Sequence, residues 1–440
     1  MEYKIEQEMD CYKLSHMQKK IWDIEKRNPR TPIQNIGGVV IIKGEVNLDL
    51  LEKAIQIFIK RNDGIRARFI ERDGETEQYI FPYESKTVDY ANFSNSINPQ
   101  EAFEKWSNYT FSTVFELEDS DLYYLGLFRI SNKESGVLLR IHHIICDGWG
   151  TSIIQRGILE TYCRLIKDEV VNITPAPSYI DFIEKEDKYV KSFRFLKDKE
   201  YWNEKFSNMY DGSEEFLCNN KDEVKGRRSV FNLDDKLSMK IKEFLEEKRM
   251  PMNTFFLIVM GLYLNKKTQK EDIIIGDLLY NRLTKKDRET LGMCISKIPV
   301  RVTINKEKSI SDFINEVTLD IKGDFYHQRY PYYELVKDLK ISKRDYTSLY
   351  RYSINCYNAN YLNNIGDNIT VESIEYYNGY QNLSIEVIVK EVKDNKLTIN
   401  IDHIISEYTE EEIKYMYEYM MYIAAQIIDN SDKIIKEIIK

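Results

Sequence analysis

The stretch RIHHIICDGWG, residues 140–150, sets two adjacent histidines, His142 and His143, at the end of an apolar run and just ahead of Asp147-Gly148. With five histidines in 440 residues, that clustering asks for a chemical reason. A neutral imidazole accepts a proton near pH 7, and the first N–H groups of a helix favour negative charge that develops beside them. A histidine held at a helix start therefore has the parts for proton transfer and for oxyanion stabilisation. Metal binding fits poorly, because adjacent strand positions point to opposite faces and no further ligand stands at zinc spacing. Ser-His-Asp hydrolysis fits poorly too, since the G-x-S-x-G elbow is missing from the sequence. The plain alternative is a buried pair satisfied by backbone carbonyls.

Periodicity shows which elements would carry these residues. DLYYLGLFRIS (121–131) and GVLLRIHHII (136–145) read as a hairpin, and GTSIIQRGILETYCRLIKDE (150–169) has helical spacing with Thr151 or Ser152 as N-cap. In the strand, His142 and His143 project in opposite directions, so one is structural and the other faces a cavity. Upstream come a helix near 12–28, the strand IGGVVIIKGEV, the helix LDLLEKAIQIFIKRND and the paired strands GIRARFIE and EQYIFPY. Pro175 and Pro177 in VNITPAPSYIDF mark the expected crossing between an N-terminal part, 1–175, and a C-terminal part, 176–440. Beyond it lie a charged helical segment (180–207), the strand RRSVFNL, and the helices LSMKIKEFLEEKR and NTFFLIVMGLYLNKK. The strands DIIIGDLL and KIPVRVTI, the helix SISDFINEVTLDIKGDFYH, the strands YRYSINCYN, LSIEVIVKEV and KLTINIDH, and a final helix from 409 complete the order. Such alternation predicts an α/β (α+β layered) fold.

Composition narrows the partners. A formal charge of -9 with no Lys/Arg block weighs against nucleic-acid binding. The longest apolar runs fall short of the roughly 18 residues a membrane span needs. The start MEYKIEQEMDCYKL lacks an apolar h-region, which makes the cytoplasm the expected location. Cys11, Cys146, Cys163, Cys218, Cys294 and Cys356 stand singly, as reduced thiols do.

HHIICDG is similar to the His-His-x-x-x-Asp-Gly motif of nonribosomal peptide synthetase condensation domains, which is shared with related acyltransferases of the chloramphenicol acetyltransferase-like superfamily. LSHMQKKIW resembles the family's Ser-x-x-Gln-x-x-x-Trp opening, with Ser15, Gln18 and Trp22 in place. RNDGIRARF resembles its Arg-His-Glu-x-Leu-Arg-Thr-x-Phe, departing at Asn62, Asp63 and Ala67. YIDF (179–182), DIIIGDLLYNR with Gly276 and Arg282, and HQRYPYYELV follow in family order, and RDYTSLYRYSINCYN follows loosely. LGMCISKIPVR departs most: Cys294, Ser296 and Lys297 stand where the family has Phe, Asn and Thr, beside a retained Gly292.

The resemblance implies two chloramphenicol acetyltransferase-like lobes in a V-shaped pseudo-dimer with a central tunnel, and a free-standing, monomeric condensation domain. It implies amide formation between an acyl or peptidyl thioester on a carrier protein's phosphopantetheine and either a carrier-bound aminoacyl group or a free amine. No cofactor or metal of its own is implied. By matching positions His143 is catalytic, Gly148 turns the chain beside the reacting carbonyl and offers an oxyanion donor, and His142 supports the site. Asp147 is implied to pair with Arg282 across the two lobes, and Trp149, Ser296 and Lys297 to form tunnel wall. The rival readings are an acyltransferase making an ester or amide on a small metabolite, a silent recruitment domain that kept the fold, and an epimerase.

Overall fold

The computed structural model describes residues 10–207, 224–340, 349–357, 364–366, 369–391 and 396–439. Cys218 and residues 344–348 of RDYTSLY lie outside the described residues. The chain divides into two compact units. One comprises Met1–Lys191, Arg282–Cys294 and Asn360–Asn378, and the other Ser192–Asn281, Ile295–Ala359 and Gly379–Lys440.

The first unit is built on a six-stranded sheet in the spatial order Asn364–Gly366, Ile369–Glu375, Asn35–Lys43, Glu134–His142, Tyr123–Ser131, Tyr90–Asn92. Its centre strand buries Val39, Val40, Ile41 and Ile42 in succession, a pattern that belongs to a strand covered on both faces. Asn35 lies opposite His142 across the antiparallel ladder, so the histidines emerge at the end of the best-paired strands. The helices Leu48–Arg61 and Gly148–Ile166 meet where Gly157 has no side chain, since a Cβ there would lie 2.6 Å from carbons of the Phe58 ring. A smaller sheet of Tyr12–Lys13, Glu75–Ile80 and Ala67–Arg72 completes the unit.

The second unit has a six-stranded sheet in the order Ser296–Thr303, Asp272–Leu279, Tyr352–Tyr357, Ile385–Glu391, Leu397–Ile404, Gly226–Asn232. Its core surrounds the helix Met252–Thr268, in which every residue from Thr254 to Asn265 is buried. A helix apolar on all sides must be enclosed on all sides. None of the described helices is long and apolar enough to cross a membrane.

The structure departs from the sequence reading in several places. The first unit runs past residue 175 to Lys191, because Pro175 and Pro177 sit in a link between two helices of that unit, Gly148–Ile166 and Tyr179–Val190. It also takes back two later segments, one of which pairs Ile369–Glu375 with Asn35–Lys43, Val371 opposite Ile42. The charged segment after 178 is two helices, the second, Phe193–Lys205, capped by Ser192. The helix Pro99–Phe111, with Asn98 as N-cap and proline in its first turn, is additional.

Candidate active site

His142 is the last residue of its strand, while His143 opens a single 3-10 turn, His143–Ile145. The two side chains separate because the backbone changes conformation between them, not because a pleat alternates. His142 is 2% exposed, and its Nδ1 accepts the Ile144 N–H at 3.2 Å. An accepting Nδ1 places the proton of the neutral ring on Nε2, which faces Glu25 Oε2 at 3.5 Å. Phe115 packs edge-on against the same ring, centroids 6.1 Å apart.

His143 is half-buried. Its N–H donates to Gln34 O at 2.8 Å, and its Nδ1 lies 2.8 Å from Cys146 O. A carbonyl oxygen only accepts, so Nδ1 carries a proton, and in the neutral ring Nε2 carries the lone pair. The turn thus folds back on its own histidine and selects the tautomer a general base needs.

Asp147 is the N-cap of the helix Gly148–Ile166, in place of the expected Thr151 or Ser152. Its Oδ1 accepts the Gly150 N–H at 2.8 Å, and its Oδ2 accepts Arg282 Nη1 at 2.6 Å and the Cys294 N–H at 3.0 Å. Arg282 also donates to Gly292 O at 3.2 Å. Both side chains are almost wholly buried. Burial opposes the arginine's charge, but the Asp147 carboxylate outweighs it and holds the Arg282 pKa above its ordinary value. This pair lies within the first unit, because Arg282–Cys294 belongs to it, and so is not a link between separate lobes. The thiols of Cys146 and Cys294, both fully buried beside it, are pushed up by burial and stay protonated.

Gly148 is exposed at the first helical position without a positive φ, and a Cβ built on it meets nothing within 4 Å. The expectation that glycine is needed there to turn the chain therefore has no backbone basis; what its hydrogen leaves is open space over the helix N-terminus. Gly150 is the glycine that packing demands, since a Cβ would lie 2.6 Å from Cys146 Sγ and 3.2 Å from Leu291 Cδ1. Trp149 is half-buried and donates Nε1–H to Arg288 O at 2.9 Å. Ser296 and Lys297 open a strand of the second unit, where Ser296 Oγ donates to Gln328 O at 3.2 Å. Among the described residues no group of three or more His, Cys, Asp and Glu is placed to hold a metal ion.

Two residues that entered only through motif resemblance prove to be joined to this centre. Gln18, fully buried, forms a capping box with Ser15 and donates Nε2–H to Ile144 O at 3.1 Å, inside the histidine turn. Tyr179 donates its hydroxyl to Met293 O at 2.7 Å, the same hydroxyl oxygen lies 3.1 Å from Ser15 Oγ, and the Tyr179 ring fills the space above Gly292, where a Cβ would lie 2.0 Å away. The S-x-x-Q spacing of a capping box signals the first, whereas only the resemblance of YIDF points to the second.

Against known proteins, the family model described as Condensation domain matches residues 8–439. One plipastatin synthase subunit of Bacillus subtilis (strain 168) is 28% identical over 431 residues, 97% of this chain and 17% of the relative. Surfactin synthase subunit 1 of the same organism is 28% identical over 436 residues, 98% of this chain and 12% of the relative. The chain thus spans less than a fifth of the length of either. Among solved structures, the starter condensation domain of rhizomide synthetase in complex with C8-CoA superposes with a TM-score of 0.84 at 20% identity, covering 97% of this chain and 96% of that one. The first condensation domain of the calcium-dependent antibiotic synthetase, in complex with a substrate analogue, gives 0.82 at 15% identity, covering 97% and 98%.

Proposed function

Because the chain belongs to the condensation domain family, we propose that it joins an acyl or peptidyl thioester, carried on the phosphopantetheine of a carrier protein, to an amine, forming an amide in nonribosomal peptide synthesis. The observation that supports this most is the His143 tautomer: Nδ1–H is engaged by Cys146 O, which leaves Nε2 as the proton acceptor at the start of a helix. Amine attack on the thioester carbonyl gives a zwitterionic tetrahedral adduct. Nε2 takes the proton from its nitrogen, the Gly148 N–H, which has no intrahelical acceptor, faces the oxyanion, and collapse expels the thiolate. The thioester is already activated, so the reaction needs no cofactor of the domain's own.

How much His143 contributes depends on the acceptor. An α-amine with a pKa of about 7.7–8.0 is roughly a tenth neutral at pH 7, at a cost of little over 1 kcal/mol. A lysine-like amine near 10.4 costs about 4–5 kcal/mol to deprotonate, and a positioned base then matters more. Asp147 and Arg282 hold the helix start in place, and Trp149 serves as wall.

The test incubates acyl-loaded carrier proteins with the enzyme and a panel of amines, and reads loss of the acyl group and gain of amide by intact mass. Docking of a carrier orients the thioester, so kcat/KM should be far higher for the loaded carrier than for the same acyl group on pantetheine or coenzyme A. Equal values would make the protein an acyltransferase of small thioesters. No turnover with any carrier would favour a recruitment role.

A further inference from the structure

We propose that Gln18, on the first helix His16–Arg27, is a positioning residue for His143. The inference rests on the acyl-transfer reading, in that it names what holds the base in place.

The histidine turn has few ways to keep its shape. The His143 N–H is tied to Gln34 O, and the Cys146 N–H closes the turn on His143 O at 3.3 Å. Between them sits Ile144, whose two flanking peptide planes set the course of the turn. The plane it shares with the His143 carbonyl is held through its N–H by His142 Nδ1, and the next plane is held through its C=O by Gln18 Nε2. Of these two side chains, only the glutamine can be changed without touching a histidine.

Gln18 is itself over-determined. Its Oε1 accepts the Ser15 N–H at 2.9 Å and Gln78 Nε2–H at 2.7 Å, and its Nε2 also donates to Gln78 Oε1 at 3.0 Å. Gln78 in turn donates to Lys13 O at 3.0 Å. Both glutamines are fully buried. A primary amide with every bond engaged in a buried site has one orientation, and that rigidity passes to the Ile144 carbonyl. Stabilising the first helix would need only the capping box. The additional reach across to residue 144 points to the turn that presents His143 Nε2.

Gln18→Met keeps the side-chain length and removes the donor to Ile144 O, whereas Gln78→Met breaks the glutamine pair and leaves that donor in place. For amide formation from a loaded carrier, Gln18→Met is expected to lower kcat by about tenfold to a hundredfold, the scale on which a small misplacement of a reacting group acts, with KM little changed. Gln78→Met, which loosens Gln18 but leaves its donor to Ile144 O, should lose clearly less kcat than Gln18→Met at a similar loss of melting temperature. A second readout needs no substrate. With five histidines in the chain, nitrogen-15 imidazole spectra resolve the His143 tautomer, and Gln18→Met should lose the Nδ1-protonated signal that Gln78→Met retains. If Gln18→Met does not fold, Gln18→Asn, whose amide is withdrawn by one methylene, carries both measurements. Parallel losses in the two glutamine variants, or an unaltered His143 signal in the Gln18 variant, would overturn the assignment. If wild type makes no amide with any carrier, the functional reading fails, and the spectra alone decide the positioning role.

Discussion

Alanine at Asp147 and at Arg282, singly and together, isolates the interaction that fixes the helix start. The two single variants should not be equivalent. In Asp147→Ala the guanidinium of Arg282 stays buried without its carboxylate, which for a broken buried pair costs about 3–5 kcal/mol. The same change strips the N-cap from Gly148–Ile166, worth about 1 kcal/mol, and leaves the Cys294 N–H without its acceptor. In Arg282→Ala the stranded carboxylate keeps two backbone donors, Gly150 N–H and Cys294 N–H. The cost should therefore fall near the lower end, about 3 kcal/mol. The double variant has no stranded charge, so its loss should fall short of the sum of the singles by about 2–3 kcal/mol, the upper range for residues in contact.

Denaturant melts followed by tryptophan fluorescence suit the measurement, because Trp22, Trp106 and Trp149 lie in the first unit and only Trp202 in the second. The Arg282 pKa is raised above its ordinary value, so its share of stability is present below that value and is lost only as pH rises past the raised one. The coupling should accordingly be flat across neutral and mildly alkaline pH. Additivity of the two alanine changes within about 0.5 kcal/mol, or a larger loss for Arg282→Ala than for Asp147→Ala, would refute the reasoning.

His143→Ala should keep its melting temperature and lose amide formation by about a hundredfold or more, whereas His142→Ala, which leaves the Ile144 N–H without its acceptor, should lose about 1–3 kcal/mol of stability; wild-type turnover of His143→Ala with matched donor loading removes it from the mechanism. Gly148→Ala has open space for its methyl and should alter stability by less than about 1 kcal/mol yet reduce turnover, while Gly150→Ala, forced against Cys146, should cost about 1–3 kcal/mol; melts and rates of the pair decide it. Asp277, wholly buried, accepts from Asn253 Nδ2 at 2.7 and 2.8 Å, and its pKa is pushed up to about 7 by burial, which outweighs those bonds and is reinforced by nearby Asp324. Since the folded state keeps that proton, stability should fall as pH rises from about 4 to about 7, and Asp277→Asn should flatten the slope in thermal melts across that range; an unchanged slope refutes it.

The elements most legible in the sequence are those whose residues settle their own burial. DIIIGDLL is a strand from Asp272 to Leu279, as its β-branched run requires, and LDLLEKAIQIFIKR is a helix from Leu48 to Arg61. ITVESIE is harder, because its partner strand Asn35–Lys43 lies more than three hundred residues earlier and nothing local names it. The helix Pro99–Phe111 is legible in principle, since Asn98-Pro99 is a cap followed by proline in the first turn. A break at 175 fails for a physical reason: two prolines show that the chain stops being regular, not that it leaves one core for another.

At the site, residue types are legible and the backbone between them is not. Pleat alternation predicts that His142 and His143 part, but they part because the strand ends between them, and alternation alone leaves His143 free to take either tautomer. The 3-10 turn supplies what alternation lacks, because it brings Cys146 O within 2.8 Å of Nδ1. Asp147 shows the same limit from the other side. Weighed only as a partner for an arginine, it loses the N-cap position to Thr151 and Ser152, although Asp ahead of a helix is among the strongest caps. One carboxylate does both, Oδ1 to the helix and Oδ2 to Arg282 and Cys294 N–H. The helix N-terminus beside His143 is therefore fixed by the same group that anchors the 282–294 segment, so Cys294 can replace a larger residue there, because its backbone N–H makes the contact.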